Sequence, residues 1–189
     1  MEPLSRFNEK QLRIVNGAVS TAEELVSNYY KLSMSEWLRS RFDIKTLSGL
    51  KAEEVVHGPF AQLVRYVGRR PEALLVSGAY DFYKICIQDH SVISTLERSS
   101  DLMLFPFILY VVTHELIHIV RFSRFLQMFD APLKERMAEE GRVHLRTFEI
   151  LEKQRIEGLE AALGYYGPWR DAHKVDLPER GMIKKQCLP

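Results

Sequence analysis

Two histidines and a glutamate stand at a spacing that suits metal chemistry. His114 and His118 are four positions apart, and Glu115 directly follows the first histidine. In an α-helix this spacing places both imidazoles on one face, about one turn apart, so that both can bind a single ion. Zinc accepts imidazole nitrogen at about 2.0–2.1 Å. The pattern His-Glu-x-x-His therefore predicts a Zn²⁺ site, with Glu115 as a base that takes a proton from a water molecule activated by the ion.

The motif lies in the most apolar stretch of the chain, from Leu102 to Val120. Two imidazoles and a carboxylate are costly to bury there without a partner, and a bound ion would supply one. The uncharged part of the stretch, Leu102 to Thr113, is shorter than the roughly 20 residues that a membrane-spanning helix needs. We therefore expect a buried core helix from about Leu102 to Phe129, in a cytoplasmic protein without a membrane partner.

A second long helix is predicted from Leu133 to about Leu163, after the break at Asp130-Ala131-Pro132. It carries Glu140 and His144, whose spacing places them on one face. Either side chain can complete a tetrahedral site with the two histidines of the motif. The other would then orient a ligand from outside the coordination shell.

The third ligand depends on how the two long helices pair. In a tight antiparallel hairpin, residues equidistant from Ala131 face each other, which places His144 opposite His118. Glu140 would then lie level with Phe122. We predict that Glu140 and His144 both belong to the metal site, and we leave open which of them binds the ion.

Residues His114 to about Glu149 resemble the corresponding segment of the zincin metallopeptidases. His114 and His118 look like the two zinc-binding histidines of that group, and Glu115 looks like its catalytic glutamate. In the gluzincin branch, a glutamate on a following helix is the third ligand. Glu140-Gly141 looks like the Glu-Gly pair of several such enzymes.

The resemblance implies a zinc-dependent, metallopeptidase-like hydrolase acting on a peptide or a small molecule. Zincins usually align a peptide substrate along the edge of a β-strand. The sequence offers one short strand candidate, Ala73 to Val76. Whether the chain is an active enzyme therefore stays open at this point.

Two other functions fit parts of the same pattern. Glu115-x-x-His118 matches the Glu-x-x-His element of ferritin-like di-iron proteins, but Glu140 and His144 do not form the second such element, because their spacing is four rather than three. Iron is therefore less expected than zinc. The third possibility is a non-catalytic interaction module that a metal ion stabilises.

The rest of the chain predicts a mainly α protein. We expect one helical metal-binding domain over residues 1–164, with a possible short β element, and an irregular tail over residues 165–189. A capping box at Thr21–Glu24 predicts a helix start. Besides the two long helices, apolar spacing predicts helices over Thr21–Arg41, Lys51–Val56, Phe60–Val67 and Asp81–Glu97. Acidic and basic residues number 25 and 26, a balance that gives no indication of nucleic-acid binding.

A few further side chains are weighed against the metal site. His57 and the pair Asp89-His90 could bind a second ion, but local hydrogen bonding is the favoured expectation. Glu139 is expected on the surface. Tyr165 and Tyr166 could direct a phenol at a developing oxyanion, although packing at a helix end is favoured.

Overall fold

Helices dominate the fold, and one small sheet packs against them. The computed structural model describes residues 4–39, 41–69, 79–170 and 184–187. The helices are α1 (Glu9–Tyr30), α2 (Met34–Arg39), α3 (Asp89–Arg98), α4 (Leu104–Ser123), α5 (Leu133–Leu151) and α6 (Leu159–Arg170). The strands are β1 (Phe42–Lys45), β2 (Ala61–Arg69), β3 (Ala79–Ile87) and β4 (Lys184–Cys187). A mainly α protein with a short β element is confirmed.

Helix α4 lies at the centre of the core. Its apolar residues surround the helix instead of forming one stripe, and 15 of its 20 residues are buried. Pro106 is tolerated in the first turn, where its missing N–H is not needed. By length and composition α4 could cross a membrane, but 78% of its most apolar window is buried inside the protein, as in a core helix. The predicted core helix is present, although it ends at Ser123 and not near Phe129.

Helix α1 packs along α4 through a narrow face. Its buried residues recur every three or four positions, as a helix with one buried face requires. They are Val15, Ala18, Ala22 and Val26. Because the alanine side chains are small, the backbone of α1 can approach α4 closely.

The start of α1 differs from the prediction. Asn8 and Gln11 form a reciprocal capping box, so the helix begins at Glu9. Thr21 lies inside the helix, where its hydroxyl donates to the carbonyl oxygen of Gly17 at 2.9 Å. The predicted capping box at Thr21 is therefore wrong, because that hydroxyl is used within the helix.

The sheet has the strand order β1-β3-β2-β4. β2 and β3 are antiparallel, in a register that pairs Ala61 with Ile87 and Arg69 with Ala79. β1 lies parallel to β3, and β4 lies parallel to β2. Successive residues of β2 point to opposite faces, so Leu63 joins the main core while Val64 joins a second apolar cluster on the other face.

Two helix predictions fall on this sheet and are wrong. Phe60–Val67 is largely β2, and the first part of Asp81–Glu97 is β3, with α3 forming only the second part. Both runs mix apolar and polar residues over a short length, where helical and strand spacing are hard to tell apart. The predicted helix over Lys51–Val56 is a single 3₁₀ turn at Ala52–Glu54.

The second long helix of the prediction is divided in two. α5 ends at Leu151, and α6 begins at Leu159 after Gly158, whose φ of 74° favours glycine. The predicted helix end near Leu163 is wrong, because α6 continues to Arg170 and buries Tyr166 in the core.

The predicted tail contains regular structure in its described parts. Residues 165–170 belong to α6, and Lys184–Cys187 pairs with β2 as β4. The rest of the tail lies outside the described residues, as does the strand candidate Ala73–Val76.

A buried ion pair joins the second apolar cluster to the loop that precedes β2. The Glu54 side chain is fully buried and accepts hydrogen bonds from Lys84 at 2.8 Å and from the Tyr66 hydroxyl. Burial acts to raise the pKa of Glu54, but the bonds from Lys84 and Tyr66 outweigh it and lower that pKa. The loop is thus tied to the sheet by a charged contact.

Removing the cation from this pair should destabilise the fold. Lys84→Met would leave a buried carboxylate unpaired, so we expect the free energy of unfolding to fall by about 3 kcal/mol. Urea denaturation measures the change. The matched control is Lys45→Met, which removes an exposed pair with Asp43 and should cost less than about 1 kcal/mol. Equal losses in the two variants would contradict the role of the buried pair.

The same pair predicts a pH dependence with a definite sign. Because the pKa of Glu54 is lower in the folded chain, its ionised form contributes stability above the ordinary carboxyl value of 4.5. That contribution is lost as the pH falls from 4.5 through the folded pKa. The difference in unfolding free energy between the natural chain and Glu54→Gln should therefore shrink on acidification, and a difference that grows would contradict it.

Candidate metal centre

Helices α4 and α5 run antiparallel and meet at the motif. Contacts along the pair show the direction, because Tyr110 meets His144 while Arg121 meets Glu139. Glu140 lies opposite the motif, not level with Phe122 as the tight hairpin predicted. Since α4 ends at Ser123, the helices pair about a point some residues before Ala131, and this displaces α5 along α4.

Donor atoms of three side chains converge between the two helices. His114 Nε2 lies 3.2 Å from His118 Nε2 and 3.2 Å from Glu140 Oε2. His118 Nε2 lies 3.3 Å from Glu140 Oε1. A tetrahedral ion with bonds of about 2.0–2.1 Å holds its donors about 3.3–3.4 Å apart. One ligand atom from each side chain lies within 4.8 Å of the other two, so His114, His118 and Glu140 form a group that could hold a metal ion.

His144 lies beside this group but is engaged elsewhere. Its Nδ1 forms a hydrogen bond of 2.8 Å with the Tyr110 hydroxyl, and its ring centroid lies 4.3 Å from that of His114. Burial and the neighbouring His114 lower the pKa of His144 to about 2, so this imidazole is neutral. Of the two predicted third ligands, the geometry brings Glu140 into the donor group and leaves His144 packed against it.

The charges at the centre depend strongly on one another. Burial acts to raise the pKa of Glu140, but His118 and His114 lower it far below its usual range. Burial acts to lower the pKa of His118, and the Glu140 carboxylate outweighs it and raises that pKa. The carboxylate thus favours positive charge between the imidazoles, which is the charge that a cation would supply.

The outer nitrogens of both histidines lack the partner that many metal centres provide. His114 Nδ1 and His118 Nδ1 are buried and have no hydrogen-bond partner among the described residues. Packing holds the rings instead: His118 stacks on Phe122 with centroids 5.9 Å apart, and His114 lies against His144. Contacts with neighbouring rings therefore take the place of a hydrogen bond on the outer side of both imidazoles.

Glu115 opens onto a pocket in front of the donor group. It is partly exposed and lines this cavity of about 100 Å³ together with His114 and His118. Burial raises the pKa of Glu115, and the two histidines oppose that shift. A carboxylate with a raised pKa is a stronger base than an ordinary one, which suits it to take a proton from a water molecule.

Most of the remaining pocket wall is apolar. The main apolar contributors are Phe60, Leu63, Val111, Tyr166 and Trp169. Tyr166 stacks on Tyr110 with centroids 3.9 Å apart, and its hydroxyl is buried with no hydrogen-bond partner among the described residues. The stack supports the wall of the pocket, so the packing role expected for Tyr166 is present.

One edge of β2 borders the same pocket. Residues 58–63 line the cavity, and the described part of β4 pairs with β2 from Val64 to Val67. The Phe60 carbonyl accepts from Gln88 N at 2.9 Å, so residue 60 faces β3. By the alternation of an antiparallel ladder, the backbone groups of Ala61 and Leu63 face the opposite edge. This strand edge was not predicted, because Phe60–Val67 was expected to be helical.

Glu139 is buried, which corrects the prediction that it lies on the surface. It is 1% exposed and forms ion pairs with Arg121 and Arg142. Arg121 lies on α4 just after the motif, so its ion pair with Glu139 holds α5 against α4 beside Glu140. The feature of the sequence that could have indicated the burial of Glu139 is the cation Arg121, one turn after the motif.

The residues considered for a second ion are used in local contacts. The Asp89 carboxylate accepts from Phe7 N at 3.0 Å and Leu47 N at 2.8 Å, and the rings of His57 and His90 pack edge to face. Among the described residues, three possible metal ligands cluster at Glu140 and none do so at Asp89.

Comparison with known proteins leaves this site to be judged on its own geometry. No protein-family model matches the chain, and searches of curated proteins and of solved structures give no match.

The two candidate third ligands can be separated by metal affinity. Glu140→Ala removes a direct donor and should weaken Zn²⁺ binding by more than about 100-fold, because even outer partners cost about 10–100-fold. His144→Phe keeps the ring volume and should weaken binding less. Competition with a chromophoric chelator measures both affinities. Loss of binding in His144→Phe but not in Glu140→Ala would make His144 the ligand.

Proposed function

We propose that this chain is a zinc-dependent hydrolase that cleaves peptide bonds. The observation that carries the proposal is the spacing of 3.2–3.3 Å between donors of His114, His118 and Glu140, with Glu115 lining the adjoining pocket. This combination of a three-donor group and a nearby carboxylate is what metal-assisted hydrolysis requires.

Each residue of the centre has a separate task. His114, His118 and Glu140 would hold the ion, which when bound would supply a Lewis acid that polarises a carbonyl and acidifies water. Glu115 accepts the proton of the attacking water at its carboxylate and returns it to the leaving nitrogen. The raised pKa of Glu115 supports this exchange, because a more basic carboxylate takes the proton of water more readily.

The edge of β2 that borders the cavity supports a peptide as the substrate. An extended chain can add to a strand edge through backbone hydrogen bonds, with its alternate side chains in pockets. Ala61 and Leu63 offer such groups directly beside the cavity that Glu115 lines. The apolar wall with Phe60 and Val111 favours an apolar side chain next to the scissile bond and keeps bulk water away.

The di-iron alternative has less support from the site. Ferritin-like centres use several carboxylates from four helices, whereas the described donor group contains Glu140 as its one carboxylate ligand. A metal analysis that finds two irons per chain and a visible absorption band would favour that alternative over zinc.

Glu115→Gln tests the proposed chemistry. The variant keeps the three donors, so it should retain zinc while kcat/KM falls by about 10²–10⁴-fold, the usual contribution of a general base. The assay is cleavage of an internally quenched peptide library by the zinc-loaded chain, with metal content measured in parallel. Glu160→Gln, at an exposed position on α6, is the matched control and should leave the rate unchanged.

Two outcomes would overturn the proposal. If the zinc-loaded natural chain cleaves no peptide of the library, the hydrolase assignment fails. If Glu115→Gln retains both zinc and full activity, the role of the base fails. If zinc stabilises the fold of the natural chain and of Glu115→Gln, and neither cleaves a peptide, the metal-stabilised interaction module is favoured instead.

A further inference from the structure

The connection between α4 and α5 holds large apolar side chains in solvent. Phe125 is 95% exposed, Met128 is 77% exposed and Leu126 is 56% exposed, the highest values for large apolar residues in the described chain. Leu133 and Met137, at the start of α5, are also exposed. We call these five residues the apolar tip. Such clustering is unusual on a water-facing surface and indicates a contact surface.

Two backbone hydrogen bonds fix the chain at the apolar tip. Leu126 N donates to the Arg121 carbonyl at 2.9 Å, and Phe125 N donates to the Phe122 carbonyl at 3.0 Å. These two bonds form a Schellman motif at the end of α4, in which Phe125 has a φ of 55°. Glycine usually occupies this left-handed position. A phenylalanine there serves neither the helix end nor the core, so its ring is available for an external contact.

Cations accompany the apolar tip. They are Arg124, Lys134 and Arg136. Of the two nearby acids, Asp130 lies 4.0 Å from the Arg65 guanidinium, and Glu135 is in the first turn of α5. Arg124 donates to the Tyr30 carbonyl at 3.0 Å, Arg136 is half-buried and Lys134 is exposed, so a small excess of positive charge surrounds the apolar side chains.

We propose that the apolar tip docks on the surface of a lipid bilayer that contains anionic head groups. Exposed Phe, Leu and Met side chains enter the boundary between head groups and acyl chains, while Lys and Arg stay among the phosphates. An almost fully exposed ring projects from the protein, which suits shallow insertion better than the flat, extended contact of a protein interface. Docking of this kind leaves α4 in the core, so it does not need a membrane-spanning helix.

Vesicle flotation with the full-length chain tests this proposal. The probe is a phosphatidylcholine vesicle with about 30% phosphatidylserine, compared with phosphatidylcholine alone. The natural chain should bind the anionic vesicles. Phe125→Gly combined with Met128→Ser should weaken binding by at least about tenfold, because most of the inserted apolar surface is lost. Lys134→Gln combined with Arg136→Gln should weaken binding to anionic vesicles and reduce its salt dependence.

The controls separate docking from folding. Phe125→Gly by itself should not lower the thermal unfolding temperature, since glycine suits the φ of 55°. Ile14→Ser removes an exposed apolar side chain on α1 and should leave vesicle binding unchanged. The proposal is overturned if anionic vesicles do not bind the natural chain, or if Phe125→Gly with Met128→Ser binds them equally well. It is also overturned if the tip variants only convert a dimer to a monomer in sedimentation, which would make the tip an interface between copies. None of these readouts depends on hydrolysis.

Discussion

Glu140 reaches from α5 to two imidazoles that α4 buries, and the site depends on this contact. Because α4 is apolar on every side, His114 and His118 are only 8% and 2% exposed. Two neutral imidazoles whose Nε2 atoms face each other can share one proton at most, which leaves hydrogen-bonding capacity unused. The Glu140 carboxylate supplies a further hydrogen-bond acceptor between them. A bound cation would satisfy both imidazole nitrogens and the carboxylate together. The sequence of α4 thus demands a polar partner from a neighbouring helix.

The surrounding structure keeps that partner in place. The buried pair of Arg121 with Glu139 fixes the adjacent position on α5, and the bond of Tyr110 with His144 fixes the next turn. α6 adds Tyr166, which stacks on Tyr110 and closes the wall. The helices therefore set the donor group, whereas the sheet contributes the strand edge in front of it. A substrate would meet both at the cavity that Glu115 lines.

The sequence was most informative where the signal was local. The spacing of His114 and His118 and the apolar run around them predicted a buried helix with converging imidazoles, because helical geometry determines both. The helix that carries Glu140 was also predicted, but its displacement along α4 was not. That displacement depends on where α4 ends. The helix ends with Phe125 in a left-handed conformation, and a phenylalanine in a sequence does not usually indicate a helix end. Glu139 was misplaced because its burial depends on Arg121, a partner on another helix. β2 and β3 were missed because strand pairing is non-local and the spacing of their apolar residues was ambiguous.

The most direct test of the account is an anomalous difference map at the zinc absorption edge, from crystals of the chain grown with Zn²⁺. The account predicts one peak within about 2.0–2.2 Å of His114 Nε2, His118 Nε2 and a carboxylate oxygen of Glu140. A peak bound by His144 in place of Glu140 would require a different centre. The absence of any peak between the two histidines, with the rings arranged as described, would contradict the central claim.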